Sequence, residues 1–238
     1  MSEPLPVTVF FDYHCPYSDR VVRWLDLLTP ERVAPDYRFF PLEQVNRDPT
    51  AETWRVWEQP LDYLHYRGRQ DRRPLAPFLV SALVEAIAPG GPVATFRRLV
   101  LDARFDERRD ITDLELLAAL ARAAGVDAER LDAALRDPHA VAAARERIAA
   151  DWRLARSDYL VFGVPTLRFP GDAPFYLRLA RRLEPGEAEA FLDRLVALRG
   201  AAPFVLELKL VPPAPSGEPR EVGAGTPASG VRPTQDSR

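Results

Sequence analysis

The sequence predicts an α/β domain interrupted by a long helical insertion. Three observations predict it: residues 7–42 follow a strand, helix, strand order, residues 76–156 follow helical periodicity, and strand character returns at 159–179. The composition, 47% hydrophobic and 28% charged, is that of a globular protein. Fibrous and wholly disordered classes are therefore excluded.

The first unit is a buried strand followed by a helix. Residues 7–12 are β-branched or aromatic and end at an aspartate, which predicts a strand. From Pro16 apolar residues recur at i, i+3, i+4 and i+7, counted from Val21, and the helix they predict stops before Pro30. Residues 37–42 predict a second strand beside the first.

The insertion is predicted to consist of successive helices. Residues 76–88 and 93–104 are apolar at helical spacing. Thr112 followed by Glu115 predicts a capping box at the start of the next helix, which runs into Gly125. The pair 137–138, aspartate then proline, predicts the start of a long helix that ends near residue 156.

Strands are predicted again after the insertion, and a helix closes the domain. The strands are at 159–161, 166–169 and 175–179, and the helix spans 187–198. Residues 204–211 alternate enough to predict an extra edge strand, whereas the chain from Pro212 is rich in Pro, Gly, Ser and Ala and predicts a flexible tail.

The charge balance and the apolar segments bear on partners and location. With 32 basic and 35 acidic residues the net charge is −3, which gives no broad electrostatic reason to expect nucleic acid. Uncharged stretches are too short to span a bilayer, and no secretory signal precedes the first strand. We expect a cytoplasmic protein without a membrane partner.

Cys15 is the single cysteine of the chain. It cannot form an intramolecular disulfide or a multi-thiolate metal site, and His65 and His139 share no metal-ligand spacing, so no metal is predicted. Because Pro16 suits the first helical position, Cys15 is predicted at the N-cap, where free amides and the helix dipole lower a thiol pKa. Ser18 lies one turn on and is expected to donate to the resulting thiolate. The position alone equally allows a small buried apolar residue.

Two loops carry a resemblance to a known family. Cys15-Pro16-Tyr17-Ser18 opens a helix after a strand that ends in an acidic residue, and Phe162-Gly163-Val164-Pro165-Thr166 opens a strand after the insertion. Together they resemble the DsbA-type branch of the thioredoxin superfamily, as do residues 40–46 and 110–113. The resemblance covers residues 6–200 and implies a DsbA-like thioredoxin fold with a helical insertion.

The resemblance also implies a domain organisation and site residues. Residues 6–46 and 158–200 would form the thioredoxin-fold domain and 50–157 the insertion. Beyond the resemblance, alternation and composition predict an extra edge strand at 201–211 and a disordered tail at 212–238. Pro165 would be a cis-proline beside the sulfur, exposing the backbone of Val164 to a substrate. Cys15 and Ser18 would be catalytic. The residues expected to bind substrate are Pro16, Tyr17, Val164, Pro165 and Thr166.

The chain departs from the family at one position. Dithiol members carry a second cysteine where this chain has Ser18, and that thiol releases the product intramolecularly. The sequence therefore predicts a thiol–disulfide oxidoreductase with one nucleophilic cysteine, Cys15, which exchanges with a thiol or disulfide substrate. Glutathione or another low-molecular-weight thiol would resolve the mixed disulfide, and no tightly bound cofactor is expected.

Two alternatives remain open from the sequence. Class kappa glutathione transferases and 2-hydroxychromene-2-carboxylate isomerases share the fold and the Gly-Val-Pro-Thr loop, but they place a serine where this chain has Cys15. A redox-inert module could instead use the groove over Cys15 and Pro165 to hold a partner.

Two further features invite a functional interpretation. His14 adjoins Cys15, but adjacent residues at a strand end usually point apart, so a direct proton relay is not favoured. Aromatic residues in the segment 54–73 lie close to several arginines, which could select an acidic cosubstrate. We expect these aromatic residues to pack the insertion onto the rest of the domain instead.

Overall fold

The computed structural model describes residues 3–46, 53–61, 63 and 74–202. Within them, the strands are β1 Leu5–Phe11, β2 Val33–Phe39, β3 Thr166–Arg168 and β4 Phe175–Tyr176. These four strands form one sheet in the order β2-β1-β3-β4. β1 pairs parallel with β2 and antiparallel with β3, and β3 pairs antiparallel with β4.

Helices surround this sheet and fill the insertion between β2 and β3. The helices are α1 Pro16–Asp26, α2 Leu42–Val45, α3 Ala76–Ile87, α4 Gly91–Phe105, α5 Leu114–Ala123, α6 Ala128–Arg136, α7 Pro138–Arg153 and α8 Ala188–Ala201. α1 follows β1, α2 follows β2, and α8 closes the described chain, while α3 to α7 form the insertion. The predicted α/β class, a thioredoxin fold with a helical insertion, is confirmed.

The core lies between the sheet and both sets of helices. Trp24 of α1 is fully buried, and its indole N–H donates to the Ala188 carbonyl at 3.1 Å, which fixes α1 against α8. On the insertion side, the Phe78 ring of α3 meets the rings of Tyr13 and Phe39 edge to face at 5.6 and 5.7 Å. Burial of aromatic side chains thus joins the insertion to the strands.

One buried carboxylate ties the last insertion helix to the sheet. Asp151 of α7 accepts the backbone N–H of Phe39 at 2.9 Å. It also pairs with Arg38 at 3.3 Å and with Arg147 at 2.7 Å. Because Asp151 is almost fully buried, these donors compensate the cost of removing its charge from water.

Several predicted boundaries differ from the structure. The second strand begins at Val33 and ends at Phe39, earlier than the predicted 37–42; it contains Pro35, which an edge strand tolerates because no partner needs its missing N–H. Thr112 does not cap α5. Asp113 is the N-cap and accepts the Glu115 amide, while the Thr112 hydroxyl donates to Asp110 at 2.7 Å.

The strand predicted at residues 159–161 is wrong. α7 continues as a π-helical turn, Leu154–Asp158, and Leu160 then adopts a left-handed φ of 52°. The Val161 N–H donates to Ala155 at 2.8 Å, and Arg156 donates to the Val161 carbonyl at 2.7 Å. These local bonds occupy the backbone groups that a strand would need.

Other differences concern extents. α6 was not predicted, and the strand predicted at 175–179 is reduced to Phe175–Tyr176. Residue 201, the first of the predicted extra strand, is the last residue of α8. Residue 202 is the C-cap of that helix, and residues 203–211 and the predicted tail lie outside the described residues.

We expect Asp151→Ala to lower the free energy of unfolding by about 2 kcal/mol, because the Phe39 amide and two guanidinium groups lose their acceptor. Urea denaturation measures the change. Asp132→Ala is the matched control, since its partner Arg136 is on the exposed surface of α6, and its effect should stay below about 0.5 kcal/mol. Equal losses in the two variants would contradict the role given to Asp151.

Candidate active site

Asp12 organises the turn between β1 and α1. Its carboxylate is almost fully buried and accepts the backbone N–H of His14 and of Leu42, both at 2.6 Å. Its backbone carbonyl accepts the Cys15 N–H at 3.1 Å. The carboxylate therefore fixes both the cysteine turn and the start of α2. In the sequence, the only indication of this role is that the first strand ends in an acidic residue.

Cys15 is the N-cap residue of α1, as the sequence predicts, and Pro16 occupies the first turn. The sulfur is buried, with 5% of the residue exposed. The thiol donates to the carbonyl oxygen of Val164 at 3.4 Å. The structure thus brings together two loops that are 149 residues apart in the chain.

The loop opposite the sulfur is held by its own hydrogen bonds and by the sheet. The Val164–Pro165 peptide bond is cis. The Thr166 hydroxyl donates to the Gly163 carbonyl at 2.7 Å, and the Pro165 carbonyl accepts the Leu177 N–H at 3.1 Å. Since Thr166 also pairs with Phe10 of β1, strand pairing sets the loop at the start of α1.

Ser18 is fully buried beneath the cysteine turn. Its hydroxyl oxygen accepts the Asp12 N–H at 3.2 Å, which leaves the hydroxyl proton available as a donor. Both the hydroxyl and the backbone N–H of Ser18 lower the pKa of Cys15. The structure therefore brings Ser18 and Cys15 together in the way that the helical spacing predicts.

The predicted lowering of the Cys15 pKa is nevertheless wrong. Burial raises the pKa of this thiol above its ordinary value, and the charge of Asp12 adds to the increase. The bonds from Ser18 and the Tyr17 amide oppose burial without outweighing it. The sulfur lies in a small apolar cluster, separate from the main core, whose other buried members are Phe10, Phe40, Ala155, Val161 and Val164.

Residues of three segments lie close to the buried sulfur. Pro16 is exposed and Tyr17 is half-buried, whereas Val164, Pro165 and Thr166 are buried. Sequence reasoning missed two residues here, Tyr176 and Arg178. Their spacing of two residues was the available signal, because residues at i and i+2 of an extended segment project to the same side.

The remaining candidate residues take other positions. His14 is half-buried, and its backbone N–H donates to Asp12.

Trp57 is buried, with its ring 6.0 Å from that of Trp152, and Trp54 lies 5.4 Å from Tyr63, so the described aromatic residues pack onto the core as expected. Tyr66 and the arginines at positions 67, 69, 72 and 73 lie outside the described residues.

A membrane-spanning helix and a metal-binding cluster are both absent from the part of the chain that the structure describes. No helix there is long and apolar enough to cross a membrane. No cluster of three or more His, Cys, Asp or Glu side chains there could hold a metal ion.

The sheet order and the cysteine that caps α1 opposite a cis-proline define a thioredoxin-fold protein with a single-cysteine site. Residues 76–179 match the family model of the DSBA-like thioredoxin domain. The matched segment contains the insertion and the Val164–Pro165 loop. These residues thus resemble a DSBA-like thioredoxin domain, in agreement with the resemblance seen in the sequence.

Solved structures show the same fold. A probable DsbA oxidoreductase from Streptomyces coelicolor is 21% identical, with a TM-score of 0.54 over 87% of this chain and 94% of that one. The cytosolic disulfide reductase DsbM from Pseudomonas aeruginosa, also solved with GSH, is 21% identical, with a TM-score of 0.51 over 82% of this chain and 100% of that one. No curated protein sequence matches the chain.

We expect Ser18→Ala to raise the Cys15 pKa further, because a donor to the thiolate is lost. The alkylation rate of Cys15 by iodoacetamide is followed from neutral to alkaline pH. At pH values below the midpoint of this profile, the rate in the variant should be about tenfold lower than in the unmodified protein. Ser157→Ala, at an exposed position, is the control and should leave the profile unchanged. An unchanged profile in Ser18→Ala would show that its hydroxyl does not act on the sulfur.

Proposed function

We propose that this protein is a thiol–disulfide oxidoreductase that acts through Cys15 alone. The observation that carries the proposal is the position of the sulfur, at the start of α1 and 3.4 Å from the carbonyl of Val164, which precedes the cis Pro165. The DSBA-like match and the fold of oxidoreductases such as DsbM support it. Backbone groups of Val164 would pair with an extended substrate and direct its sulfur towards Cys15.

The proposed reaction is monothiol exchange. The Cys15 thiolate attacks one sulfur of a substrate disulfide, a new S–S bond forms, and the other substrate sulfur leaves as a thiolate with the electron pair of the broken bond. An external thiolate then attacks the mixed disulfide and releases the Cys15 thiolate. These two steps release one half of the substrate as a thiol and join the other half to the external thiol in a new disulfide. A second external thiolate then attacks that disulfide at the external sulfur, which completes the reduction of the substrate to two thiols and oxidises two external thiols to one disulfide.

The resolving thiol must come from outside the chain, because Cys15 is its only cysteine. We assign this role to glutathione or a similar low-molecular-weight thiol. The DsbM structure with GSH supports this assignment. Such a reaction needs a compartment that keeps thiols reduced, and a cytoplasmic location is therefore part of the proposal.

The site residues divide the work as follows in this proposal. Ser18 stabilises the Cys15 thiolate, and Asp12 positions the turn that carries Cys15. Pro16 and Tyr17 form the near edge of the substrate groove, and Val164 and Pro165 form the far edge. Thr166 is a positioning residue, because its buried hydroxyl holds the Gly163 carbonyl.

Burial of the sulfur favours a second candidate, a redox-inert binding module. A buried thiol with a raised pKa holds its proton at neutral pH and is a poor nucleophile. The same groove could then hold a partner without exchange. The two candidates differ in whether Cys15 forms a mixed disulfide in the folded protein.

Mass spectrometry after incubation with oxidised glutathione tests this difference. We expect a glutathionyl adduct on Cys15, forming faster as pH rises because the thiolate fraction increases. Cys15→Ser should form no adduct. Ser18→Cys should accumulate much less, because a second thiol in the same turn resolves the mixed disulfide.

The opposite result is also well defined. If the folded protein forms no adduct even at alkaline pH, while the urea-unfolded chain does, the binding-module candidate replaces the oxidoreductase. Catalysis gives an independent check, since glutathione-dependent reduction of a small disulfide should require Cys15 and should be lost in Cys15→Ser.

A further inference from the structure

An arginine is held in a defined position next to Tyr17, close to the start of α1. The guanidinium carbon of Arg178 lies 3.9 Å from the centroid of the Tyr17 ring, and the same guanidinium donates to the Tyr17 hydroxyl. Stacking on an aromatic face and a hydrogen bond restrict the side chain while leaving it exposed. Tyr17 lies in the first turn of α1, two residues after Cys15.

Among the described residues, Arg178 has no acidic partner, whereas its neighbours Arg181 and Arg182 each have one. Arg181 makes two hydrogen bonds to the Glu187 carboxylate, at 2.7 and 2.6 Å, and Arg182 pairs with Asp19 at 3.0 Å. Across the described ranges, no carboxylate lies within ion-pair distance of Arg178. Its remaining N–H groups face solvent and match the geometry of a carboxylate.

The backbone and the contact with Tyr17 connect Arg178 with the reacting sulfur. Leu177, the residue before it, donates its N–H to the carbonyl of Pro165 at 3.1 Å, so this segment is fixed to the cis-proline loop. The hydrogen bond to Tyr17 is the main reason that the pKa of Arg178 is raised. Tyr17, on which the guanidinium stacks, lies in the same helical turn as Pro16 and follows Cys15 by two residues.

An apolar surface adjoins this cation. Phe162 is 65% exposed, and its ring lies 5.3 Å from that of Tyr176, which is also exposed. A methyl group at Gly163 would lie 3.7 Å from the Tyr176 ring, so this tyrosine covers the loop that opposes the sulfur. Exposed aromatic rings next to a fixed cation suit a ligand with a short hydrocarbon part and a terminal anion.

We propose that Arg178 is the anion-recognition residue of this site and selects thiols and disulfides that carry a carboxylate. The carboxylate would bind the guanidinium, the hydrocarbon part would lie on Tyr176 and Phe162, and the sulfur would reach Cys15. This inference deepens the proposed oxidoreductase function and rests on it.

The test uses three small disulfides that differ in charge: 3,3′-dithiodipropionate, 2-hydroxyethyl disulfide and cystamine. The rate constant of mixed-disulfide formation on Cys15 is measured by mass spectrometry for the full-length protein. Each value is divided by the rate constant of the uncharged thiol N-acetylcysteine amide with the same disulfide, which removes intrinsic reactivity. The readout is the ratio of the corrected anionic to neutral rate constants.

We expect this ratio to fall about fivefold in Arg178→Ala, the effect of one charge pair in contact in water. Arg178→Glu should reverse the preference in favour of cystamine, and Arg178→Lys should retain part of it. Arg181→Ala removes an equally exposed cation that Glu187 already neutralises, so its ratio should equal that of the unmodified protein. High salt should lower the ratio only where the cation is present.

The outcomes separate this inference from the function on which it rests. A ratio that is the same in Arg178→Ala and Arg178→Glu as in the unmodified protein, with adducts formed by all three disulfides, would overturn the inference and leave the proposed function intact. Adducts with none of the three would remove the proposed function, and the inference with it.

Discussion

The antiparallel pairing of β1 with β3 is the constraint on which the site depends. These strands lie on opposite sides of the helical insertion in the chain, and the register of Phe10 with Thr166 sets the cis-proline loop against the start of α1. The bond from Cys15 to Val164 exists only because of that register. A slip of one residue would turn Thr166 to the other face of the sheet and break the site apart.

Two physical effects compete at the sulfur. The start of α1 supplies backbone N–H groups and the hydroxyl of Ser18, which favour the thiolate. The apolar cluster around Cys15 removes water, which favours the thiol, and this second effect is larger. In the proposed function, a substrate sulfur would therefore meet a protected thiol, whose ionisation depends on pH and on the charges that the substrate brings.

Local sequence signals predicted the elements that form locally. The cysteine as N-cap, Pro16 in the first turn and the order β1, α1, β2 follow from residue types at fixed spacing. The burial of the sulfur could not be predicted in this way, because Ala155 of the π-helical turn and Val161, in the segment wrongly predicted as a strand, are distant from Cys15 in the chain. Arg178 was missed because its spacing from Tyr176 indicates only a shared side of the strand, whereas its contact with Tyr17 depends on the fold.

The helical insertion also contributes to the surroundings of the sulfur. Trp152, next to the carboxylate that ties α7 to β2, stacks on Phe40 at 4.7 Å and borders the cluster that encloses the sulfur. The environment of the cysteine is thus set by two distant parts of the chain, the motif that carries the sulfur and the helix that sets its depth. If the proposed function holds, substitutions in the helix would retune the redox chemistry while the motif stays the same.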